Sequence, residues 1–344
     1  MLFNFIASRV SKDLAVDLGT ANSLVYCRGS GIVVDEPSVV AIRKRDKRSS
    51  EVWVGADAKK MIGRVPESIE VYRPLKDGVI ANFEIASLML KFFIHKAHGR
   101  KAFVRPRVII SVPSGVTPVE RRAVRDATLN AGAGEVFVVE EAMAAAMGAG
   151  LPVTEPMSNM IVDIGGGTTE VAIISLTGVV YSNSIKVAGD KLDSDILNFV
   201  RKNYSILIGL STAEQIKMLI GRAFIQDDDE EEIDIKGRDL MDGIPKTITI
   251  NSGEIAIAIM DSVNTIVDNV KSALEQCPPE LAADIIDTGI VLTGGGSLLR
   301  NLDLRIRQEI GVPVVVPDDP LTTVVRGAGM MLEDIELLKE ISNN

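Results

Sequence analysis

Asp163 stands at the end of a short apolar run, Met160–Ile164, and Gly165, Gly166 and Gly167 follow it closely. The valine and isoleucines of that run favour a buried strand. Three glycines supply a turn that tolerates positive φ and keeps Cβ atoms out of a ligand's way. Thr168–Ile174 is again strand-like, so the stretch predicts a β-hairpin with a bare tip. Such a tip exposes backbone N–H donors on one concave side, which is how a chain grips phosphate oxygens without a helix. A carboxylate beside those phosphates can hold the hydration shell of Mg2+. One triple-glycine hairpin alone would be an ordinary tight turn.

The chain repeats the grammar. Leu14–Ser23 (LAVDLGTANS) is an apolar strand, Asp17, Gly19 and a small tip with Thr20 and Asn22, followed by a strand Leu24–Cys27. A third glycine turn, Leu292–Leu298 (LTGGGSL), follows the strand Thr288–Leu292 and precedes a helix. Two Asp–Gly hairpins about half a chain apart imply a duplicated unit with one nucleotide shared between the halves. No Gly-Lys-Ser/Thr follows, as a P-loop needs, and the glycines lead into strands rather than the helix of a dinucleotide fingerprint.

The elements that must hold these turns follow from period and caps. Gly31–Ile42 reads as a strand pair turned at Pro37, Val52–Val54 as a strand and Ala56–Ile62 as a short helix. Phe83–Ala97 is a helix with Ile85, Leu88, Met89, Phe92 and Phe93 on its apolar side. Val108–Val112 is a buried strand; Thr117 caps the next helix, through Asn130, with Pro118 first and Glu120 third. Residues 288–310 repeat that strand–turn–helix. Glu135–Val139 is a strand, and Glu140–Gly150 a helix of small residues. In the second half, Val179–Lys186 extends a sheet, Asp190–Tyr204 is a helix, and Thr212–Ala223 is a helix capped by Ser211 or Thr212. Asp227–Glu232, six consecutive acids, reads as a solvated loop. Ile233–Ile250 holds two strands around Gly237–Gly243, Glu254–Leu274 is a long helix, and Glu280–Ile286 a short one after Pro278-Pro279. A last helix begins near Leu321, and its Gly327-Ala328-Gly329 could face Ala144–Gly148 across a hinge.

Composition bounds the class. The 344 residues allow about two core-forming domains. With 46% hydrophobic and 24% charged residues the chain is globular. A net charge of −10 argues against nucleic acid as a partner. Cys27 and Cys277 have no metal-like spacing, which fits a reducing cytoplasm, and His95 and His98 read as surface residues. No apolar run reaches the roughly 18 residues that span a bilayer. Met1–Val10 is too short for a signal peptide and has no cleavage region, yet Leu2, Phe3, Ile6 and Val10 fall on one arc of a helix. Phe103 and Val104 sit between basic residues in the loop Lys101–Arg107. Both segments suit contact with an anionic membrane surface, and the first reads equally as a frayed or docked terminus.

The paired hairpins resemble those of the actin, Hsp70 and sugar-kinase superfamily, in which two related lobes clamp ATP. Within it the chain resembles the MreB family, the bacterial actins of cell shape, along nearly all its length. The segments that carry this are VDLGTANS (16–23), EPSVVAI (36–42), VDIGGGTTEVA (162–172), STAEQIK (211–217), PPELAADI (278–285) and LTGGGSLLR (292–300). The resemblance implies an α/β, actin-like fold of two duplicated ribonuclease-H-like lobes, each with a smaller inserted subdomain. Residues 1–40, 76–153 and 323–344 would form the first core lobe and 41–75 its insertion; 154–189 and 254–322 would form the second, and 190–253 its insertion.

The same resemblance implies roles. Thr20, Ala21 and Asn22 would line the first phosphate loop and Gly165, Gly166 and Gly167 the second, with Asp17 and Asp163 holding hydrated Mg2+. Glu214, Gln215, Ile216 and Lys217 would reach the adenosine, and Gly294, Gly295, Gly296 and Ser297 its other side. Glu141 would position the attacking water, helped by Thr168; without the family, Glu141 is simply a favourable acid at a helix N-terminus. Relatives often carry proline where this chain has Ala142, a good helix former, so only a small shift of Glu141 follows. Asn22 stands near where actin has a phosphate-contacting lysine, leaving more neutralisation to Mg2+ and backbone N–H groups. The implied protein is an ATPase that assembles into paired antiparallel protofilaments. It would lie on the inner membrane face through Leu2, Phe3, Ile6 and Phe103, with cell-shape membrane proteins such as RodZ as partners, and guide cell-wall synthesis. A chaperone ATPase would need a further substrate domain, and a sugar kinase a sugar pocket and a catalytic aspartate.

Overall fold

The computed structural model describes residues 13–44, 50–98, 105–226 and 231–343. The stretch with Leu2, Phe3 and Ile6, the Phe103 position and residues 227–230 of the acidic run lie outside the described residues. Two five-stranded sheets organise the chain, and they share one plan. In the first, Leu14–Leu18, Asn22–Cys27 and Gly31–Pro37 form an antiparallel meander; Arg107–Val112 and then Glu135–Glu140 add in parallel beside Leu14–Leu18. In the second, Asn159–Ile164, Thr169–Ser175 and Gly178–Ile185 form the meander, and Ile290–Thr293 and Val314–Val315 add in parallel beside Asn159–Ile164. The repeated Asp–Gly stretches thus mark a repeat of whole sheets.

The central strands of each sheet are buried on both faces, and strand alternation decides which residue goes where. Leu14, Val16, Val108 and Ile110 enter a core with Met89 and Phe93, whereas Ala15, Ile109 and Val139 turn to the opposite face. In the second sheet Met160, Val162 and Ile164 join one core, and Ile161, Ala172 and Ile174 face away from it. The two inner faces share a single layer with the helices Glu141–Gly148 and Thr323–Met331. Where these helices cross, a Cβ on Gly327 would overlap the carbonyl oxygen of Ala144, and one on Gly148 that of Thr323. Backbone meets backbone there, so small residues are a steric requirement.

Two three-stranded sheets are separate: Val40–Lys44 with Ser50–Val54 and Ile69–Tyr72, and Glu232–Asp239 with Ile206–Leu207 and Pro245–Asn251. Local signals located several boundaries well. Thr117 and Glu120 form a reciprocal capping box with Pro118 at the helix start, and Asn251 and Glu254 form another. Elsewhere the structure corrects the sequence reading. Gly31–Ile42 is not a hairpin: Gly31–Pro37 stays in the large sheet, and Val40 opens a small one. The Phe83–His98 helix buries Ala86, Met89, Leu90, Phe93 and Ile94, so its buried stripe is rotated and Phe92 is exposed. The Leu210–Ile220 helix starts at Gly209 without a side-chain cap, and Gly237 lies within a strand. A further helix, Ile335–Asn343, follows Thr323–Met331. No helix among the described residues is long and apolar enough to cross a membrane.

Candidate functional site

The inner faces change character at the hairpin ends of the sheets. Two residues beyond Ala15, Ile109 and Ile161 stand Asp17, Ser111 and Asp163, and two before Ala172 stands Glu170. Period two puts all four polar residues on the faces that meet between the halves. Glu141 opens the helix that lies in the same layer. Four carboxyl groups therefore share one gap, and their proton affinities reflect it. Burial, then the charge of Asp163, raises Asp17 from 3.8 to about 7, although a hydrogen bond from Ser111 at 3.3 Å opposes the shift. Burial raises Asp163 to about 6. Glu141 is pushed well above the usual carboxylate range by burial first and then by Asp17, Glu170 and Asp163. Burial, with Asp163 and Glu140, raises Glu170 to about 8 against hydrogen bonds from Ser114.

Such a group of acids is held together at a cost that a cation would relieve. Oδ1 of Asp163 is buried without a hydrogen-bond partner. Among the described residues no three carboxyl, histidine or cysteine groups are close enough to bind a metal directly. The unpartnered Oδ1 of Asp163 fits a hydrated divalent cation, whose water shell would supply its missing donor.

Hydrogen bonds to their carbonyls orient the hairpin tips. Carbonyls of Gly165 and Gly166 accept from the N–H groups of Gly189 and Asp190, at 3.1 and 2.7 Å, where the Gly189–Tyr204 helix begins. In a trans peptide C=O and N–H point oppositely, so the N–H groups of Gly166 and Gly167 turn away from that helix. In the first tip Gly19 O accepts from the Ser38 hydroxyl at 2.6 Å, which turns the Thr20 N–H away in the same manner. The tips oppose each other closely: a Cβ on Gly166 would lie 2.7 Å from Ala21 Cβ, and one on Gly167 2.7 Å from Thr20 Oγ1. A third element enters here. Asp77-Gly78, the turn between Leu75–Lys76 and Val79–Ile80, donates the Gly78 N–H to Thr20 Oγ1 at 3.0 Å and approaches Thr168.

The remaining candidates are placed unequally. Ile290–Thr293 pairs beside Asn159–Ile164, so Gly294, with φ +78°, abuts Asp163, and Gly296 abuts Ile164. Gly295 lies beside Leu321, and Ser297 is buried and donates to Gly294 O at 2.7 Å. Lys217 reaches the second tip from behind, 3.0 Å from Gly189 O and 2.8 Å from Asp193. Glu214 pairs with Lys59 at 2.8 Å, a residue of the other half. Gln215 is exposed, and Ile216 packs into the core of the second half, so neither side chain joins the group. Asn22 begins the strand leaving the first tip. Sequence reasoning missed Ser38, Ser111, Ser114, Glu170 and Asp77-Gly78. Only the last had a local signal, Asp-Gly between apolar residues being a strong hairpin cue.

A family model described as MreB/Mbl protein matches residues 11–340. The chain belongs to the MreB/Mbl family. It is 55% identical to the cell shape-determining protein MreB of Escherichia coli (strain K12) over 331 residues, 95% of each chain. To the cell shape-determining protein Mbl of Bacillus subtilis (strain 168) it is 48% identical, over 95% of this chain and 98% of Mbl. Its fold is actin-like and matches the crystal structure of Spiroplasma citri MreB5 bound to ADP with a TM-score of 0.89 and 39% identity, covering 97% of this chain and 99% of that one. The MreB5 structure with AMPPNP matches at 0.88. This MreB/Mbl match sets aside the chaperone and sugar-kinase readings.

Proposed function

We propose that this MreB/Mbl chain binds and hydrolyses ATP between its two halves and couples hydrolysis to assembly of cell-shape filaments. The observation that carries the reading is the opposition of two Asp-bearing glycine tips across a gap lined by four raised carboxyl groups. The ADP and AMPPNP complexes of Spiroplasma MreB5 support it. Bound Mg-ATP supplies the terminal phosphoanhydride bond that is broken. Thr20, Ala21, Asn22 and Gly165–Gly167 hold the phosphates through backbone N–H groups, while Asp17 and Asp163 accept from the cation's water shell. Glu141 accepts a hydrogen bond from the attacking water, and Thr168 supports its placement. Glu214, Lys217 and Gly294–Ser297 border the nucleoside.

The four-part division at residues 41–75 and 190–253, with core lobes around it, describes the moving parts. Filaments form by head-to-tail contacts, which heterologous interfaces permit, and pair antiparallel. They lie in the cytoplasm against the inner membrane face, held by Leu2, Phe3, Ile6 and Phe103, and work with membrane proteins such as RodZ to guide cell-wall synthesis. Sedimentation of the purified chain tests the reading. Pelleting that depends on protein concentration and on Mg-ATP supports it, and a chain that stays monomeric at every nucleotide condition would overturn it.

A further inference from the structure

We propose that Glu170 is a positioning residue that ties the meeting of the two halves to the placement of Glu141. The inference rests on the ATPase reading above. Glu170 is 3% exposed and lies directly across the strand ladder from Asp163. Two buried acids facing each other on one strand pair destabilise the sheet that holds them. The duplicated half shows what the sheet itself asks for here. In the first hairpin the partner of Asp17 is Leu24, apolar and buried. An acid at this place is therefore not a demand of the fold.

Its bonds point to a different duty. Oε1 of Glu170 accepts the backbone N–H of Ser114 at 2.7 Å, and Oε2 is buried without a partner. Ser114 belongs to the other half, in the turn after the Arg107–Val112 strand. The Ser114 hydroxyl donates to Glu140 Oε2 at 3.0 Å, and Glu140 is the residue from which the Glu141 helix starts. A continuous path thus runs from the second hairpin, across the gap, to the helix start that presents Glu141. Other links between the halves, Lys59–Glu214, Arg73–Asp190 and Lys186–Asp77, keep substantial solvent contact and are screened. The Ser114–Glu170 bond is buried and short, so it registers the approach of the halves over a narrower range of distance.

Two variants test this. Glu170→Leu copies Leu24 and removes the acceptor; Glu170→Gln removes the charge and keeps a carbonyl oxygen for Ser114. Wild type comes first: if it releases no phosphate from Mg-ATP while assembling, the ATPase reading fails, independently of Glu170. With an active wild type, nucleotide-free Glu170→Leu should melt at or above the wild-type temperature and bind ATP within a few-fold. It should release phosphate about 10- to 100-fold more slowly, the scale of a mispositioned reacting group. Glu170→Gln should recover most of that loss. Wild-type phosphate release by Glu170→Leu overturns the proposal. So does a melting temperature several degrees lower, because the acid would then serve the fold. Equal loss in the Gln variant also overturns it, because the charge and not the hydrogen bond would matter.

Discussion

Replacing Asp17 by Asn should make the nucleotide-free protein more stable at pH 8 while weakening its hold on Mg-nucleotide. The folded chain raises the Asp17 pKa from 3.8 to about 7, mainly through burial and then through Asp163. At about 1.4 kcal/mol for each tenfold change in proton affinity, keeping this group ionised costs about 4 kcal/mol. Because the folded pKa is the higher one, the folded chain holds more protons between pH 4 and 7. Stability is therefore full below pH 4, falls as pH rises through about 7, and stays low above it. Asp163 at about 6 and Glu170 at about 8 act in the same direction. Glu36 and Glu120, whose pKa values are lowered, contribute stability that is lost only as pH falls into the acid range, outside this window. Asn removes the ionisation cost but buries an amide that must find partners, at about 1–3 kcal/mol. The net gain at pH 8 is about 1–3 kcal/mol, or roughly 2–6 °C in melting temperature for a chain of this size. At pH 5 the gain should shrink or reverse. Thermal melts of both proteins without nucleotide or Mg2+ at the two pH values provide the assay. An Asn variant that melts below wild type at pH 8, or a wild type that gains stability from pH 5 to 8, would show that ionised Asp17 does not burden the folded chain.

Three further outcomes are expected. Asp163→Ala should weaken Mg-ATP binding at least about tenfold in calorimetry, since it removes the buried acid beside the glycine tip and Gly294; unchanged Mg-dependent affinity would remove Asp163 from the site. Gly327→Val should cost about 3 kcal/mol or more, because its side chain must displace the Ala144 carbonyl, and a melting temperature near wild type would contradict the helix crossing. Deleting Met1–Val10 together with Phe103→Ser should nearly abolish co-sedimentation with anionic liposomes while lipid-free pelleting persists. Each buried side chain offers roughly 1.5–3 kcal/mol at best, so binding should require many copies in a filament. Undiminished liposome binding by the double variant would locate the membrane contact elsewhere.

What could be read from the chain was what short-range chemistry fixes. Asp17 and Asp163 before glycine turns, Thr117 with Glu120, and the small residues at Gly148 and Gly327 all announce themselves within a few positions. Elements that depend on partners were less legible. The apolar residues of Phe83–His98 wrap around enough of the helix that only packing of Met89 and Phe93 against Leu14, Val16, Val108 and Ile110 chooses the buried stripe. Val40 leaves the large sheet because Ser38 bonds back to Ser23 and to Gly19 O, a contact invisible in the run of β-formers around Pro37. The resemblance places Ile216 beside Glu214 at the adenosine, whereas helical rotation sends its side chain into the core. Ser111 and Ser114 lack a motif, and Glu170 sits inside VDIGGGTTEVA with no local sign of its own role; the meeting of the three depends on how one sheet is set against the other. The carboxyl group of Glu170 became interpretable only when the first hairpin supplied Leu24 for comparison.

The proposed function locates ATP hydrolysis in the gap between the tips, with Glu141 acting on water rather than on binding. The direct measurement follows light scattering and phosphate release together in one sample after adding Mg-ATP, for wild type and Glu141→Ala. Removing a group that acts only in the chemical step should leave affinity and assembly close to wild type and slow phosphate release by about 100-fold or more. Phosphate release at the wild-type rate from assembled Glu141→Ala filaments would remove Glu141 from the chemical step.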